Sequence, residues 1–479
     1  MQKAILFSIT QDFYQIRPSG THRVATFLRQ NNWDTEVVDW ADCWKLDALK
    51  KLFELRYDSN LKWIGFGSMF NIWNQTIYDF CDWVKKKYPH IIIISGSSTY
   101  SSFKKTTIDY HIKGFGEYAL IELLKYLFSN GPRPRFEIGK NTKVIDANSQ
   151  YPAFPMKSLM VEYEKRDFIQ SFEWLSVELS RGCKFQCDFC NSPILGVKGD
   201  YSRDAEDFEY QMKSMYEKFG IKKYYITDET FNDRTEKITK FANVVEQLNF
   251  KPLFSGFLRA DLLISRPLDR EELLRMNFIG HYYGVESFNH KSAKSIGKGM
   301  NTERLKDGIL EIKNYFKSKG SFRGTISLIV GLPHETLETL KQNEKWLIDN
   351  WNDQNIRTVP LHIYKNEFDK PSKMSLDYKS YGYQEMTKEE ILKYVKTEEE
   401  YKNLNSEHLI WKNDNMNFFQ AHNYKDEFQE KTIKNNFNLI GNWDMHLEGQ
   451  VKFINYTTIS DSSTFELKFL NYVNNKLNI

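Results

Sequence analysis

The stretch Arg181–Pro193 reads RGCKFQCDFCNSP. It holds Cys183, Cys187 and Cys190, three of the chain's five cysteines. It follows the apolar run WLSVELS (174–180), which reads as a buried strand. The cysteine spacing is C-x3-C-x2-C. Thiolates are soft ligands that suit zinc and iron–sulfur clusters. Structural zinc prefers C-x2-C pairs and a closed set of four ligands, and no second pair follows here. Three cysteines on one loop can each hold one iron of a cubane cluster, which leaves the remaining iron free to bind another molecule. A zinc site completed from elsewhere and a chance grouping of core cysteines are the alternatives.

Strand–helix alternation extends in both directions from this loop. Downstream, strands are expected at 222–229, 253–262, 279–287, 325–332 and 356–364, with helices at about 203–219, 234–248, 269–276, 302–319 and 336–350. Asp269 and Asn301 read as helix-start residues. Six strand–helix units in series predict a partial, open (βα)6 barrel over 173–364. Upstream, KAILFSI (3–9), TEVVDW (35–40), LKWIGFGSM (61–69) and HIIIISGSS (90–98) read as strands alternating with helices. They predict a Rossmann-like doubly wound domain over 1–130. Gly and Pro punctuation over 131–172 reads as a linker. The last part, 365–479, is rich in Asn, Lys and aromatics and reads as a small, mainly helical accessory region. Thr387 and Glu390 form a capping-box signature there. The fold class is α/β.

Composition narrows the function. Lys and Arg number 66 against 63 Asp and Glu, so no basic field points to nucleic acid. The N-terminus lacks a signal-peptide cleavage pattern, and no apolar run is long enough to span a bilayer. Five cysteines, three of them bunched, do not make a disulfide framework. Cys43 and Cys81 read as small buried hydrophobes. The expectation is a cytoplasmic protein that binds neither membrane nor nucleic acid.

The cysteine run resembles the signature of the radical S-adenosylmethionine (SAM) enzymes, C-x3-C-x-aromatic-C, with Phe189 in the aromatic slot. The resemblance extends over about 173–360. YYITDETF (224–231) is similar to the family's second strand end, and GFLRADLL (256–263) to the third. YGVESFNHKSAKSIGKGM (283–300) resembles a Gly-x-Glu-Ser segment followed by a Lys-Gly element. ISLIVGLPHET (326–336) resembles the fifth strand end, which packs the adenine, and points to Gly331. The resemblance implies that Cys183, Cys187 and Cys190 hold a 4Fe-4S cluster. It implies that Asp228, Glu229, Arg259 and Glu286 meet SAM: carboxylates on ammonium and ribose hydroxyls, Arg259 on the SAM carboxylate. Capping and surface salt-bridge roles are the structural alternatives for these groups. The family's chemistry is one-electron reduction of the SAM sulfonium, which yields methionine and a 5'-deoxyadenosyl radical that abstracts hydrogen from the substrate.

The first domain resembles the cobalamin-binding domain of one branch. DYHIKGFGE (109–117) is similar to its closing segment. GSMF (67–70) and SGSSTY (95–100) stand where that branch surrounds the nucleotide tail, which nominates Ser68, Gly96 and Ser97. The Asp-x-His-x-x-Gly element of cobalamin carriers is absent; the chain reads TQDFYQIRPSGTHR, and His22 reads as a helix-start residue. A domain that merely braces the barrel is the alternative. Three functions stand open. One is cobalamin-dependent methylation of an unactivated carbon, another cobalamin-independent cyclisation, rearrangement or oxidation, and the third a non-enzymatic iron–sulfur module. The enzymatic readings require a small-molecule or peptide substrate and an external one-electron reductant, flavodoxin- or ferredoxin-like.

Overall fold

The computed structural model describes residues 2–9, 17–68, 74–97, 107–138, 142–152, 156, 160–190, 201–320, 322–364, 372–404, 408–434 and 471–478. The chain divides into two compact units. One is Met1–Glu178 with Arg203–Tyr224 and His446–Ile479; the other is Leu179–Ser202 with Tyr225–Met445.

The first sheet contains β1 (Gln2–Ile9), β2 (Trp33–Val38), β3 (Leu61–Ser68), β4 (Ile92–Ser97), β5 (Tyr110–Lys113), β6 (Glu137–Ile138) and β7 (Lys143–Asp146). Their order is β2-β1-β3-β4-β5-β7-β6, parallel except for the β6–β7 pair. Alternate residues of β1 serve two cores. Ile5, Phe7 and Ile9 face one side, and Ala4 and Leu6 the other. A strand buried on both faces reads as a continuous apolar run, as QKAILFSI does. The order 2-1-3-4-5 is a doubly wound topology with its switch point between β1 and β3. The stretch 131–172, read as a linker, supplies β6 and β7, and β7 pairs with β5. Its punctuation marks a sheet edge.

The second sheet contains β8 (Trp174–Val177), β11 (Lys223–Ile226), β12 (Leu253–Leu258), β13 (Phe278–Glu286), β14 (Arg323–Val330) and β15 (Asn355–Pro360). Between β8 and β11 the short strands β9 (Ser180–Arg181) and β10 (Tyr201–Ser202) pair antiparallel. The order β15-β14-β13-β12-β11-β8 is sequential, as expected for an open βα barrel. Each helix expected between these strands is present within two residues at either end. Asn301 caps the helix Thr302–Lys319, accepting from the Glu303 and Arg304 amides. Asp269 differs: its helix starts at Leu268, and its buried carboxylate accepts from Thr235 Oγ1 at 2.6 Å. The ADLL segment of the expected strand 253–262 is helical, Ala260–Ser265.

The C-terminal region serves both units. Within the second, β16 (Gln384–Glu385) pairs with β17 (Trp411–Lys412), and the helix Phe418–Lys434 follows. The Thr387 capping box forms, but its helix ends at Ile391. Residues 471–477 are helical and enter the first unit's core through Tyr472 and Val473. Buried Lys476 donates to the Val37 carbonyl at 2.7 Å and to Glu36 at 3.2 Å. The Asp39 amide donates to Tyr472 Oη at 2.9 Å. Nearby, Arg17 pairs with Glu173 and Asp39, and His22 lies 3.0 Å from Asp39; all four are buried. His22, one turn into its helix, is thus a core histidine held by Asp39. Arg17→Met leaves Asp39 and Glu173 short of their buried cation. It is expected to cost about 3–5 kcal/mol of stability, seen as a lowered urea midpoint; an unchanged midpoint would rule out Arg17 as a keystone.

Candidate functional site

The cysteine loop is fastened at its root. As the chain leaves β8, the amides of Leu179 and Ser180 both donate to Asp228 Oδ1 at 2.9 Å. The Ser180 hydroxyl donates to the other Asp228 oxygen. The β9–β10 pair closes the base of the excursion, and Gly182 takes φ +88°, a turn that favours glycine. Cys183, Cys187 and Cys190 are half-buried and form no disulfide. The Cys190 amide donates to the Cys187 carbonyl at 3.0 Å, and the Asp188 amide to Ile296 O at 3.2 Å. Phe189 is half-buried between them.

Asp228 does not stand open to a ligand. It is buried, and besides the loop root it receives Lys237 Nζ at 3.4 Å. Burial pushes its carboxyl above the usual range, opposed by Lys237 and the Ser180 bonds. Buried Lys237 also reaches Asp233 Oδ1 at 2.7 Å, Ser180 Oγ at 3.1 Å and Thr230 O at 3.2 Å. Asp228, expected to meet SAM, here brackets the loop. Glu229 is exposed at the same strand end. Thr230 Oγ1 lies 3.8 Å from Cys183 Sγ.

Arg259 follows β12. Asn232 bonds both its amide (2.8 Å) and its carbonyl (2.9 Å). Its guanidinium donates to Asp261 at 2.6 and 3.0 Å and stacks 4.0 Å from the Phe185 ring centre. Nη1 stands 3.9 Å from Cys187 Sγ. Asp261 therefore takes one edge of the cation, and Nη1 faces the cysteine loop.

Glu286 ends β13 at φ +69°, beyond an irregularity in the pairing with β14 between Gly284 and Glu286. Left-handed backbone at a bulky residue concentrates at functional sites. Lys298 donates to Glu286 Oε1 at 3.0 Å and to the Gly284 carbonyl. A Cβ at Gly284 would lie 2.6 Å from Glu286 Oε1, so glycine admits the carboxylate. Burial pushes the Cys187 thiol up; Lys298 and Arg259 pull it down, while Glu286 and Cys183 act upward. Cys183, Cys187, Arg259, Glu286 and Lys298 thus share one electrostatic neighbourhood.

Gly331, at φ +99°, follows β14. Its carbonyl accepts from Tyr383 Oη at 2.6 Å, and a Cβ there would come 2.4 Å from the Trp411 ring. The space above this glycine is filled by the chain's own indole. Its amide donates to Glu335, whose buried carboxyl is pushed up to about 7 by desolvation, against the Ser287 bond at 2.6 Å.

In the first unit, Ser68 ends β3, and Gly96 and Ser97 end β4; Gly67 is in register with Gly96, and Ile9 with Ser68. The remainders of the two small-residue loops, 69–70 and 98–100, lie outside the described residues, as does 10–16. A Cβ at Gly67 would meet Thr21 Oγ1 at 2.5 Å, so that glycine is required by helix packing. At Gly96, among the described residues, a Cβ would meet only Ile112 O at 3.8 Å. Cys81 is buried in this unit's core, with half-buried Cys43 packed against it.

Sequence reasoning missed Lys237, Asn232, Asp261 and the role of Lys298. The i, i+4 spacing of Asp233 and Lys237 was the readable signal for one of them.

Residues 177–347 match the radical SAM superfamily model. An uncharacterized methyltransferase of Pyrococcus horikoshii is 23% identical over 171 residues, 36% of each chain. A Methanocaldococcus jannaschii protein provisionally assigned as a methylthiotransferase is 27% identical over 182 residues, 36% of this chain and 38% of that one. The match thus spans little more than a third of these relatives. Among solved structures, the radical SAM methyltransferase TsrM from Kitasatospora setae, bound to tryptophan and a SAM analogue, superposes with TM-score 0.65 at 13% identity, covering 90% of this chain and 89% of that one. The cobalamin-dependent radical SAM enzyme OxsB, with aqua-cobalamin bound, gives 0.56 at 16% identity, covering 80% and 56%. At such identities the likeness establishes fold. Residues 177–347 thus match the radical SAM superfamily, and the chain has the fold of the TsrM and OxsB structures.

Proposed function

We propose that the protein is a radical SAM enzyme whose Cys183, Cys187 and Cys190 hold a 4Fe-4S cluster, and that it methylates an unactivated carbon of a small-molecule or peptide substrate with cobalamin bound to its first unit. The carrying observation is the set of three disulfide-free thiols on one loop with Arg259, Lys298 and Glu286 around Cys187. This donor set fits an anionic thiolate cluster, because the two cations offset its charge. The chain's other two cysteines are taken up in the first unit's own core, Cys81 buried and Cys43 packed against it. When bound, the cluster and SAM supply a carbon-centred radical, and cobalamin supplies a methyl carrier.

The chain's own groups bind and orient. Glu286, fixed by Lys298, presents a carboxylate at the mouth of β13 for a hydroxyl or ammonium donor of SAM. Arg259 is positioned by Asn232 and Asp261, and its free edge faces the thiols. Glu229 is an exposed carboxylate at the end of β11. In the first unit, Ser68, Gly96 and Ser97 lie at the carboxyl ends of β3 and β4, beside the switch point where ligands of open α/β sheets bind. A one-electron reductant of the flavodoxin or ferredoxin kind completes the set, and thiols that form no disulfide suit a reducing cytoplasm. Among the described residues, no helix is long and apolar enough to cross a membrane.

Anaerobically reconstituted protein is expected to contain iron and sulfide that a triple Cys183/Cys187/Cys190→Ala variant lacks. Unchanged iron content in the variant would sink the assignment. With dithionite and SAM, the parent forms 5'-deoxyadenosine, measured by chromatography. Glu286→Gln is expected to weaken SAM binding roughly ten-fold, the value of one charge-assisted hydrogen bond. Equal affinity in a calorimetric titration removes Glu286 from the contacts. After incubation with hydroxocobalamin and desalting, the parent retains the corrin spectrum without a histidine axial ligand. Gly96→Val loses the corrin and keeps its iron. A colourless parent would transfer the assignment to cobalamin-independent radical chemistry.

A further inference from the structure

Asp188 sits between Cys187 and Cys190, and no step of the proposed chemistry uses it. It is nonetheless tied by four hydrogen bonds. Its carboxylate accepts from Tyr381 Oη at 2.8 Å on one oxygen and from Lys373 Nζ at 2.9 Å on the other. Its carbonyl accepts from the Met374 amide at 2.9 Å, and its own amide donates to Ile296 O at 3.2 Å. Three of these four bonds come from 373–381, far along the chain and outside the superfamily match at 177–347. That segment is itself anchored. Met374 is buried, and Ser372 and Asp377 cap its two short helical turns. Two residues past Tyr381, Tyr383 holds the Gly331 carbonyl, and both Tyr383 and Trp411 are buried.

A carboxylate with a separate donor on each oxygen, and with its peptide held on both sides, cannot rotate without breaking several bonds at once. Cys187 and Cys190 flank that peptide. We propose that Asp188, Tyr381 and Lys373 form a latch by which the post-barrel segment fixes the geometry of the cysteine loop, making Tyr381 and Lys373 positioning residues of the cluster. The inference rests on the assignment of the cluster to this loop. The two donors differ in weight. Lys373 is largely exposed, so solvent screens its pair. The half-buried Tyr381 hydroxyl is the stronger tie.

The test uses the full chain, reconstituted anaerobically: the parent, Tyr381→Phe, the double variant Tyr381→Phe/Lys373→Met, and Lys379→Ala as a control in the same segment. The readouts are iron release to a chelator, the electron paramagnetic resonance spectrum of the reduced cluster, and the melting curve. The latch predicts iron release about ten-fold faster in Tyr381→Phe, the consequence of one lost hydrogen bond to a charged acceptor. The double variant is faster still and has an altered resonance line shape. Lys379→Ala matches the parent. Release rates and spectra identical in parent and double variant overturn the latch while leaving the cluster in place. Faster release matched by an equally lowered melting temperature, with an unaltered spectrum, also overturns it, as that is loss of fold. A parent that holds no iron overturns the cluster assignment and the latch with it.

Discussion

One buried carboxylate at the end of the second barrel strand sets the position of the cysteine loop. Asp228 accepts from two consecutive amides and a hydroxyl where the chain leaves β8, and its charge is met by Lys237. Removing both charges from water costs several kcal/mol, so such a pair persists only when every lone pair and proton is used. Here Lys237 also donates to Thr230 O and Ser180 Oγ and forms an ion pair with Asp233. The same segment carries Asn232, whose side-chain amide brackets the peptide groups of Arg259. The run from Asp228 to Lys237, which follows β11, thus fixes the ends of the two strands on either side of it, β8 and β12. The thiols on one and the guanidinium on the other inherit that precision.

The outer shell follows the same economy of charge. Each cation near Cys187 is already paired, Arg259 with Asp261 and Lys298 with Glu286. A cation held by a carboxylate keeps its orientation, and half-buried sites screen it less than bulk water would. The pairs place positive charge at the thiols without leaving flexible side chains to search for it. The positive φ of Glu286 belongs to this arrangement, because it turns the carboxylate back over Gly284 toward Lys298.

Much of this was legible because parallel strands announce themselves. Most strands of both sheets are apolar runs, and the sequential order of the barrel follows from connection rules. The cysteine spacing was legible because all three thiols lie within eight positions of one loop. What escaped detection were residues whose meaning depends on a distant partner. Asp228 reads as an open carboxylate at a strand end until Leu179 and Ser180 are seen to occupy it. Residues 131–172 read as a linker because β6 and β7 are short, and a sheet edge does not need a long apolar run. Tyr472 and Lys476 lie in a polar, low-signal tail, yet they complete the core beside β2, a pairing across more than 430 positions that periodicity cannot reveal.

Glycines at strand ends show where pattern stops and packing must decide. Gly67, Gly96 and Gly331 all sit at carboxyl ends of parallel strands, where a small residue suggests room for a ligand. At Gly67 the room belongs to Thr21, and at Gly331 it belongs to Trp411. These two are glycines because the protein packs against itself. Among the described residues, only Gly96 of the three keeps open space where a side chain would stand. It lies in register with Gly67, next to the switch point, so the opening is bounded on one side by a helix already seated. Among the described residues, small residues at strand ends thus divide into two that packing requires and one, Gly96, that it does not.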